Sequence, residues 1–315
     1  MTLINQLSEK AWIWSFLGML VVWLATVAYT GGKGGADVIT AALSFATFTV
    51  IVGIGQMFVI STGPGNVDLS IPSTIALSGA AAMKIMDGSN TMLAVGLGVS
   101  LGCGLAVGIF NYMLIRLLRI PPIIATLSSS FLILSTAIAY GRGLKIKPPP
   151  LLADFATAQV TGVPVLAVVF ILFAAVMSVV LNRTVYGRSV LAIGQNMRAA
   201  WLAGINVERI RFQTYVLSAL LAALCGYLLS GFSGGASLNM GQEYLLASIA
   251  VVVIGGTSVA GGKANVPGIW GASMFMFLLV TMLNTFGASA GIRLILTGLI
   301  IVSVITIAGG DKSQR

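Results

Sequence analysis

Charged residues divide this chain into long apolar intervals. Nine stretches of 17–31 residues contain no Asp, Glu, Lys or Arg, and a shorter tenth, 69–83, makes a span when joined to its neighbours. A membrane-crossing helix needs about 20 predominantly apolar residues. The nine stretches are 11–32, 38–67, 88–115, 120–141, 155–182, 212–242, 244–262, 264–292 and 294–310. The sequence therefore predicts an all-α, polytopic integral membrane protein with about ten transmembrane helices.

The composition excludes an ordinary soluble protein. Of the 315 residues, 57% are hydrophobic and 8% are charged, whereas soluble domains carry about 25% charged residues. The apolar run 11–32 is longer than the core of a typical signal peptide, and we interpret it as a retained first span. We expect residues 1–315 to form a single transmembrane domain.

The basic residues predict the orientation of the chain in the membrane, because cytoplasmic loops are enriched in Lys and Arg. With ten spans, one side receives Lys10, Arg116, Arg119, Arg183, Arg188, Arg198, Arg209, Arg211, Lys263, Lys312 and Arg315, and the other receives Lys33, Lys84, Arg142, Lys145, Lys147 and Arg293. Both termini are therefore expected in the cytoplasm. This rule explains the formal charge of +9 without a nucleic-acid partner.

The stretch ISTGPGNVDLSIPSTIALSG, residues 60–79, interrupts the apolar pattern with polar and helix-breaking residues. Glycine permits positive φ and proline lacks an amide donor, so we expect a broken segment near 60–72. In hydrocarbon, such breaks occur only where protein or a watery cavity surrounds them. Two compatible interpretations remain. Asp68 could N-cap the following helix, with Ser70 nearby, and Asn66 and Asp68 could face a translocation path.

A second motif, VVVIGGTSVAGGKANVPGIWG, suggests a phosphate-binding loop at first sight. The match fails because Gly262 intervenes before Lys263, and Ala264 stands where a hydroxyl residue is needed. The run also lies between two predicted spans. We interpret it as a glycine-rich turn that links two helices.

The long inner loop, about 183–211, contains a helical stretch around Asn196–Ala203, followed by Gly204, which can end a helix. One interpretation is an amphipathic helix that lies on an anionic membrane surface. The other is a docking helix for a cytoplasmic partner. Composition alone favours the first.

The residue types present do not support catalysis. The chain has no histidine, eight acidic residues, and two cysteines, Cys103 and Cys225, that lie inside apolar runs. A cysteine–histidine zinc site is therefore excluded, and no acid–base or metal-binding constellation can be assembled. We expect no enzyme activity and no metal in this chain.

These stretches together resemble the permease subunits of bacterial ATP-binding-cassette importers for ribose, xylose, galactose and related carbohydrates. The resemblance covers essentially the whole chain and rests on GPGNVDLSIPSTIALSG, on the central inner loop and on the late double-glycine turn. The family usually has glycine where this chain has Asn66 and Pro72. Matching positions in the inner loop are Asn196, Ala199, Ala200, Gly204 and Ile205.

The resemblance implies a subunit of the bacterial inner membrane with defined partners. These are a second permease copy or paralogue, two cytoplasmic ATP-binding-cassette subunits, an extracytoplasmic sugar-binding protein and membrane lipid. It implies that ATP and Mg²⁺ bind the partner subunits, so that no cofactor is expected in this chain. The transported solute would be a monosaccharide or related polyol.

The resemblance also assigns roles to residues. It implies that a docking helix contacts the ATPase, with Ala199 and Ala200 as its small surface, Arg198 at the edge, Gly204 as its end, and Asn196 and Ile205 beside it. We expect small and polar residues to line the substrate pathway: Gln56, Ser61, Asn66, Asp68 and Ser70.

Two other classes of protein compete with the importer. An ion-coupled secondary transporter of a small polar solute needs ionisable groups inside the membrane, and the spans offer Asp68 and little else. A membrane enzyme lacks catalytic groups. The sequence therefore favours the ATP-driven importer.

Overall fold

The computed structural model describes residues 11–32, 34–141, 143 and 146–308. Over these ranges the chain forms thirteen α-helices, one short 3-10 turn at Asn90–Met92 and one β-hairpin. The helices are α1 Ala11–Tyr29, α2 Gly35–Ser61, α3 Ile71–Met86, α4 Leu93–Leu117, α5 Pro122–Gly141, α6 Pro150–Thr157, α7 Val165–Arg183, α8 Val185–Gln195, α9 Met197–Leu202, α10 Val207–Phe232, α11 Tyr244–Ile254, α12 Val266–Thr285 and α13 Ala290–Ala308. In the antiparallel hairpin, β1 Gln159–Val160 pairs with β2 Val163–Pro164.

Each of the ten predicted intervals contains one helix, so the all-α, polytopic fold is confirmed. Within the described ranges, seven helices are long and apolar enough to cross a membrane: α1, α2, α4, α5, α7, α10 and α12. Helices α3 and α11 are apolar but shorter, and α13 occupies the last interval. The remaining helices, α6, α8 and α9, lie in the two long loops.

Helix α2 lies at the centre of the bundle. It contacts α10, α12 and α11, and α10 in turn packs against α3 and α4. From Val50 to Ser61 every residue of α2 is buried. A helix that is apolar on all sides is either buried in protein or surrounded by lipid, and the second half of α2 is enclosed by its neighbours.

Glycines allow α4 to approach α10 closely. A Cβ atom on Gly104 would stand 2.6 Å from Ala219 O, and one on Gly108 would stand 2.7 Å from Val216 Cα. A Cβ atom on Gly98 or Gly102 of the same helix would have no neighbouring atom within 4 Å. Small residues at a membrane helix interface let backbones meet, and here Gly104 and Gly108 do so against α10.

The helix ends gather at two sides of the bundle. At the first side lie the connection between α2 and α3, helices α8 and α9, and the loop 255–265. At the second lie the β-hairpin and its neighbours, where the Thr40 hydroxyl donates to Gly162 O over 2.8 Å. We call the second side the hairpin end. We call the first the basic end, because it carries Arg116, Arg119, Arg183, Arg188, Arg198, Arg209, Arg211 and Lys263.

The glycine contacts predict a difference between two substitutions in α4. We expect Gly108→Ala to lower the free energy of unfolding by about 1–3 kcal/mol, because overpacking a tight interface forces backbone shifts. Gly102→Ala is the matched control and should be neutral or slightly stabilising, since alanine favours the helix. Thermal unfolding in detergent measures both, and equal melting temperatures would contradict this packing.

Candidate functional site

The chain is non-helical between α2 and α3, over residues 62–70, which lie within the predicted broken segment. Gly63 and Gly65 have φ values of 124° and 77°, a region that glycine enters without strain. Pro72 lies in the first turn of α3, where a missing amide donor costs nothing. The glycines therefore end the first helix, and the proline favours the start of the second.

Asp68 joins this break to two other parts of the bundle. It is 1% exposed. Its Oδ1 accepts hydrogen bonds from the Ser70 amide at 2.9 Å and the Ser70 hydroxyl at 2.6 Å, and its Oδ2 accepts one from the Ser218 hydroxyl of α10 at 2.8 Å. The Asp68 amide donates to Gln56 Oε1 of α2 over 3.1 Å. These three hydrogen bonds partly offset the cost of burying the carboxyl group.

The expectation that Asp68 caps α3 is wrong. The N-cap residue is Ser70, and its side chain makes no capping hydrogen bond. The Asp68 carboxylate instead accepts from the amide two residues ahead, which forms an Asx turn. This turn directs the second carboxylate oxygen towards α10, so Asp68 stabilises the break and not the helix terminus.

The polar network continues into α4 and α5. The side-chain nitrogen of Asn111, Nδ2, donates to the Ser70 hydroxyl over 2.7 Å, and the Ser129 hydroxyl donates to Asn111 Oδ1. The Leu69 amide donates to the Thr126 hydroxyl over 3.1 Å. Sequence reasoning missed these partners, although an asparagine deep inside an apolar span is a visible sign of a buried polar contact. Five helices therefore meet at the break through polar groups.

The predicted pathway residues are all buried within this one chain. Gln56, Ser61 and Ser70 are 0% exposed, Asp68 is 1% exposed and Asn66 is 7% exposed. The structure brings Gln56, Asp68 and Ser70 together, while Ser61 points its hydroxyl back to Met57 O at 2.6 Å. We call these five residues, which all lie within 56–70 at the basic end, the polar cluster.

Asn66 and Gln56 extend this cluster in two directions. Asn66 Oδ1 accepts from Arg211 Nη2 at 2.5 Å and from the Tyr215 hydroxyl at 3.4 Å. Gln56 Nε2 is buried and has no partner among the described residues. A buried amide donor without an acceptor is costly, so Gln56 Nε2 is an unsatisfied group inside the bundle.

The inner loop forms two capped helices. The Thr184 hydroxyl accepts from the Gly187 amide at the start of α8, and Asn196 Oδ1 accepts from the Ala199 amide at the start of α9. Gly204, with a φ of 84°, ends α9. The predicted helical stretch and its glycine stop are confirmed, while α8 was not predicted as a separate helix.

The two faces of α9 differ from the expected arrangement. Ala200 is 5% exposed and packs inward with Ile193 and Val207, and Ile205 packs against the same group. The expectation that Ala200 offers a small surface to a partner is therefore wrong, because that face seats α9 on the rest of the chain. Arg198 and Ala199 are exposed. The outward face also carries large apolar side chains: Met197, Trp201 and Leu202 are 53%, 65% and 71% exposed.

The glycine-rich run forms the turn between α11 and α12, as predicted. Its Gly262 amide donates to Ser61 O at the end of α2 over 3.0 Å. Gln195 Nε2, at the end of α8, donates to Gly262 O over 3.2 Å. The three stretches singled out in the sequence therefore meet at one place, which we call the junction: Ser61–Gly63, Gly194–Gln195 and Gly261–Gly262.

Tyr186 provides a second contact between α8 and α2. Its ring stacks on Phe58 with centroids 5.7 Å apart and planes inclined by 21°. Its hydroxyl is buried and has no partner in the described part of the chain. Burial raises the pKa of the Tyr186 phenol above its ordinary value, so the group stays neutral at physiological pH.

The described residues offer no obvious place for a metal. Nowhere in these ranges do three or more His, Cys, Asp and Glu side chains come close enough to hold an ion. The polar cluster is instead rich in hydroxyl and amide groups. Such groups form and exchange hydrogen bonds with neutral polar solutes.

The network around Asp68 predicts a graded response to substitution. Asp68→Leu leaves the Ser70 and Ser218 donors buried without an acceptor, and each such group costs about 1–3 kcal/mol. Asp68→Asn keeps one acceptor oxygen and should destabilise the protein less. Thermal unfolding in detergent measures the difference, with Asp154→Leu on the exposed face of α6 as control. Equal melting of the Asp68→Leu and Asp154→Leu variants would contradict a structural role for Asp68.

Comparisons with known proteins place the chain in a transport family. Residues 38–305 match the family described as "Branched-chain amino acid transport system / permease component". No solved structure gives a significant match.

Three relatives are similar over most of their length. The ribose import permease protein RbsC of Bacillus subtilis is 33% identical over 80% of this chain and 78% of its own. The fructose import permease protein FrcC of Rhizobium meliloti is 30% identical over 92% of this chain and 83% of its own length. A probable ABC transporter permease protein, y4mJ of Sinorhizobium fredii, is 30% identical over 84% of this chain and 79% of its own length. The chain therefore belongs to the family of permease components of such transport systems.

Proposed function

We propose that this chain is the transmembrane permease subunit of an ATP-driven importer for a monosaccharide or related polyol. The observation that carries the proposal is its similarity to ribose and fructose import permeases over most of both chains. The membrane helices and the buried cluster of hydroxyl and amide groups support it. The permease is a transport component, and ATP with Mg²⁺ binds the partner ATPases.

The basic end faces the cytoplasm. Eight Lys and Arg residues of the described chain gather there, whereas Lys84 and Lys147 lie towards the hairpin end. The excess of basic residues on cytoplasmic loops supports this orientation. Both termini then lie in the cytoplasm, although residues 1–10 and 309–315 are outside the described ranges. The hairpin end faces the extracytoplasmic sugar-binding protein.

Helix α9 docks on the cytoplasmic ATPase. Large apolar side chains that stand exposed among charges mark an interaction surface, and Trp201 and Leu202 stand beside Arg198 on the outward face. Exposed Ala199 leaves room for a partner between them. The inward residues Ala200 and Ile205 hold the helix, and Asn196 and Gly204 define its ends. Two ATPases fit a complex with two permeases, either two copies of this chain or this chain and a paralogue.

The polar cluster at the break borders the translocation pathway. Its members Gln56, Ser61, Asn66, Asp68 and Ser70 lie at the inner end of α2 and are enclosed by the chain. In this arrangement the inner end of the pathway is closed. Weak contacts suit a conduit, because a transported solute must leave as readily as it enters.

A secondary transporter is the second candidate. Ion coupling needs membrane-embedded ionisable groups, and Asp68 is the only fully buried carboxylate among the described residues. Its three hydrogen bonds to Ser70 and Ser218 give it a structural role. Because no other buried carboxylate is available among the described residues to couple an ion, ATP is the favoured energy source.

The docking surface predicts the effect of removing apolar side chains from α9. We expect Trp201→Ala combined with Leu202→Ala to weaken capture of the ATPase by at least tenfold, because aromatic anchors dominate such interfaces. Trp14→Ala is the control, since Trp14 of α1 is 60% exposed but lies within a membrane span. Pull-down from detergent with the cognate ATPase is the measurement. Unchanged capture with weaker binding to anionic vesicles would instead identify α9 as a membrane-surface helix.

The energy source can be tested directly. Reconstituted alone in liposomes, the chain should accumulate no sugar under a proton or sodium gradient. With the ATPases, the binding protein and ATP present, it should import sugar. Gradient-driven accumulation by the permease alone would establish the secondary transporter.

A further inference from the structure

The exposed face of α9 is connected to the break by a short series of direct contacts. Ala200 of α9 packs on Ile193 of α8. The next residue, Gly194, lies against the end of α2, where a Cβ atom would overlap Ser61 O and the Gly262 amide. Helix α9 is therefore linked to the end of α2 through Ile193 and Gly194 of α8.

The junction is a close contact in which glycine backbones lie directly against neighbouring segments. A Cβ on Gly261 would stand 2.5 Å from Gly63 Cα, and one on Gly262 would stand 2.6 Å from Gln195 Cγ. Hydrogen bonds from Gly262 to Ser61 and from Gln195 to Gly262 cross the same contact. Closely packed interiors shift between discrete arrangements and do not deform continuously.

Stacking of Tyr186 on Phe58 extends this contact along α2. The two rings join the first turn of α8 to α2, one turn before the junction. Helix α8 is therefore fastened to α2 near both of its ends. It also contacts α10 directly, through the buried group that contains Ile193 and Val207.

We propose that the junction makes α8, α9, the turn 258–263 and the α2–α3 break one rigid body. A displacement of α9 by the ATPase then moves the break directly, and with it the Asp68 and Asn66 contacts that close the inner end of the cluster. Ser61, Gly194, Gln195 and Gly262 are positioning residues in this unit. The proposal rests on the proposed function, and it adds where the ATPase movement enters the membrane domain.

A crosslink across the junction tests whether it moves as a unit. Gln195 and Lys263 are both exposed, and each is replaced by cysteine in a chain with Cys103→Ser and Cys225→Ala. The assembled complex is treated with a short thiol-specific crosslinker after reconstitution, so folding is not affected. Because Gln195→Cys already removes the hydrogen bond to Gly262 O, the uncrosslinked double-cysteine variant is the reference, and its sugar uptake should not change on crosslinking. Loss of uptake on crosslinking would show that the two segments separate during transport and would overturn the proposal.

Two substitutions test whether the junction transmits movement. Gly194→Ala inserts a methyl group between Ser61 and Gly262, and Gln195→Ala removes one hydrogen bond without adding volume. We expect both variants to bind the ATPase normally. Sugar imported per ATP hydrolysed should fall about tenfold for Gly194→Ala, within the range of allosteric coupling, and less for Gln195→Ala. Gly98→Ala, at a glycine with open space around it, should leave the ratio unchanged.

The outcomes separate this proposal from the proposed function. If the unsubstituted complex imports no sugar with ATP, the proposed function fails. If it imports sugar and both junction variants keep the normal ratio of transport to hydrolysis, the proposed function stands and the rigid junction is wrong. Should Gly194→Ala fail to assemble, Gln195→Ala and the crosslink decide the matter.

Discussion

The Asp68 carboxylate holds together the break between α2 and α3. Buried backbone groups cannot turn to water, so a non-helical segment inside the protein persists only where other groups supply hydrogen-bond partners. Asp68 binds Ser70 within the segment and Ser218 of α10, and its amide reaches Gln56 of α2. The central helices, the adjoining polar cluster and the junction are all arranged around this interruption.

Much of the fold follows from local features of the sequence. Charged residues separate the spans because burying a charge in lipid is costly, and each predicted interval contains a helix. Gly63, Gly65 and Gly204 mark turns because they have positive φ. Such signals depend on a few neighbouring residues and can be read without knowing the rest of the structure.

The site was less predictable, because its contacts join distant parts of the chain. The hydrogen bond from Ser218 to Asp68 spans 150 positions, and no local pattern distinguishes Ser218 from other serines in apolar helices. The inward orientation of Ala200 depends on Ile193 and Val207 in neighbouring helices. Gly194 looks like an ordinary helical glycine until Ser61 and Gly262 are placed beside it. The sequence therefore predicted where the three motifs lie along the chain, but it did not predict that they contact one another at the junction.

Helix α11 is too short to cross a membrane by itself. With 11 residues and a rise of 1.5 Å per residue, the helix is about 16 Å long, roughly half of a hydrocarbon core of about 30 Å. The remaining depth is crossed by loop backbone, which needs water or protein around it. After the C-terminal end of α11 the protein provides these surroundings, because Gly262 of the next loop donates to Ser61 O and accepts from Gln195 Nε2. The loop that follows α11 is therefore bounded by α2 and α8 and not by lipid.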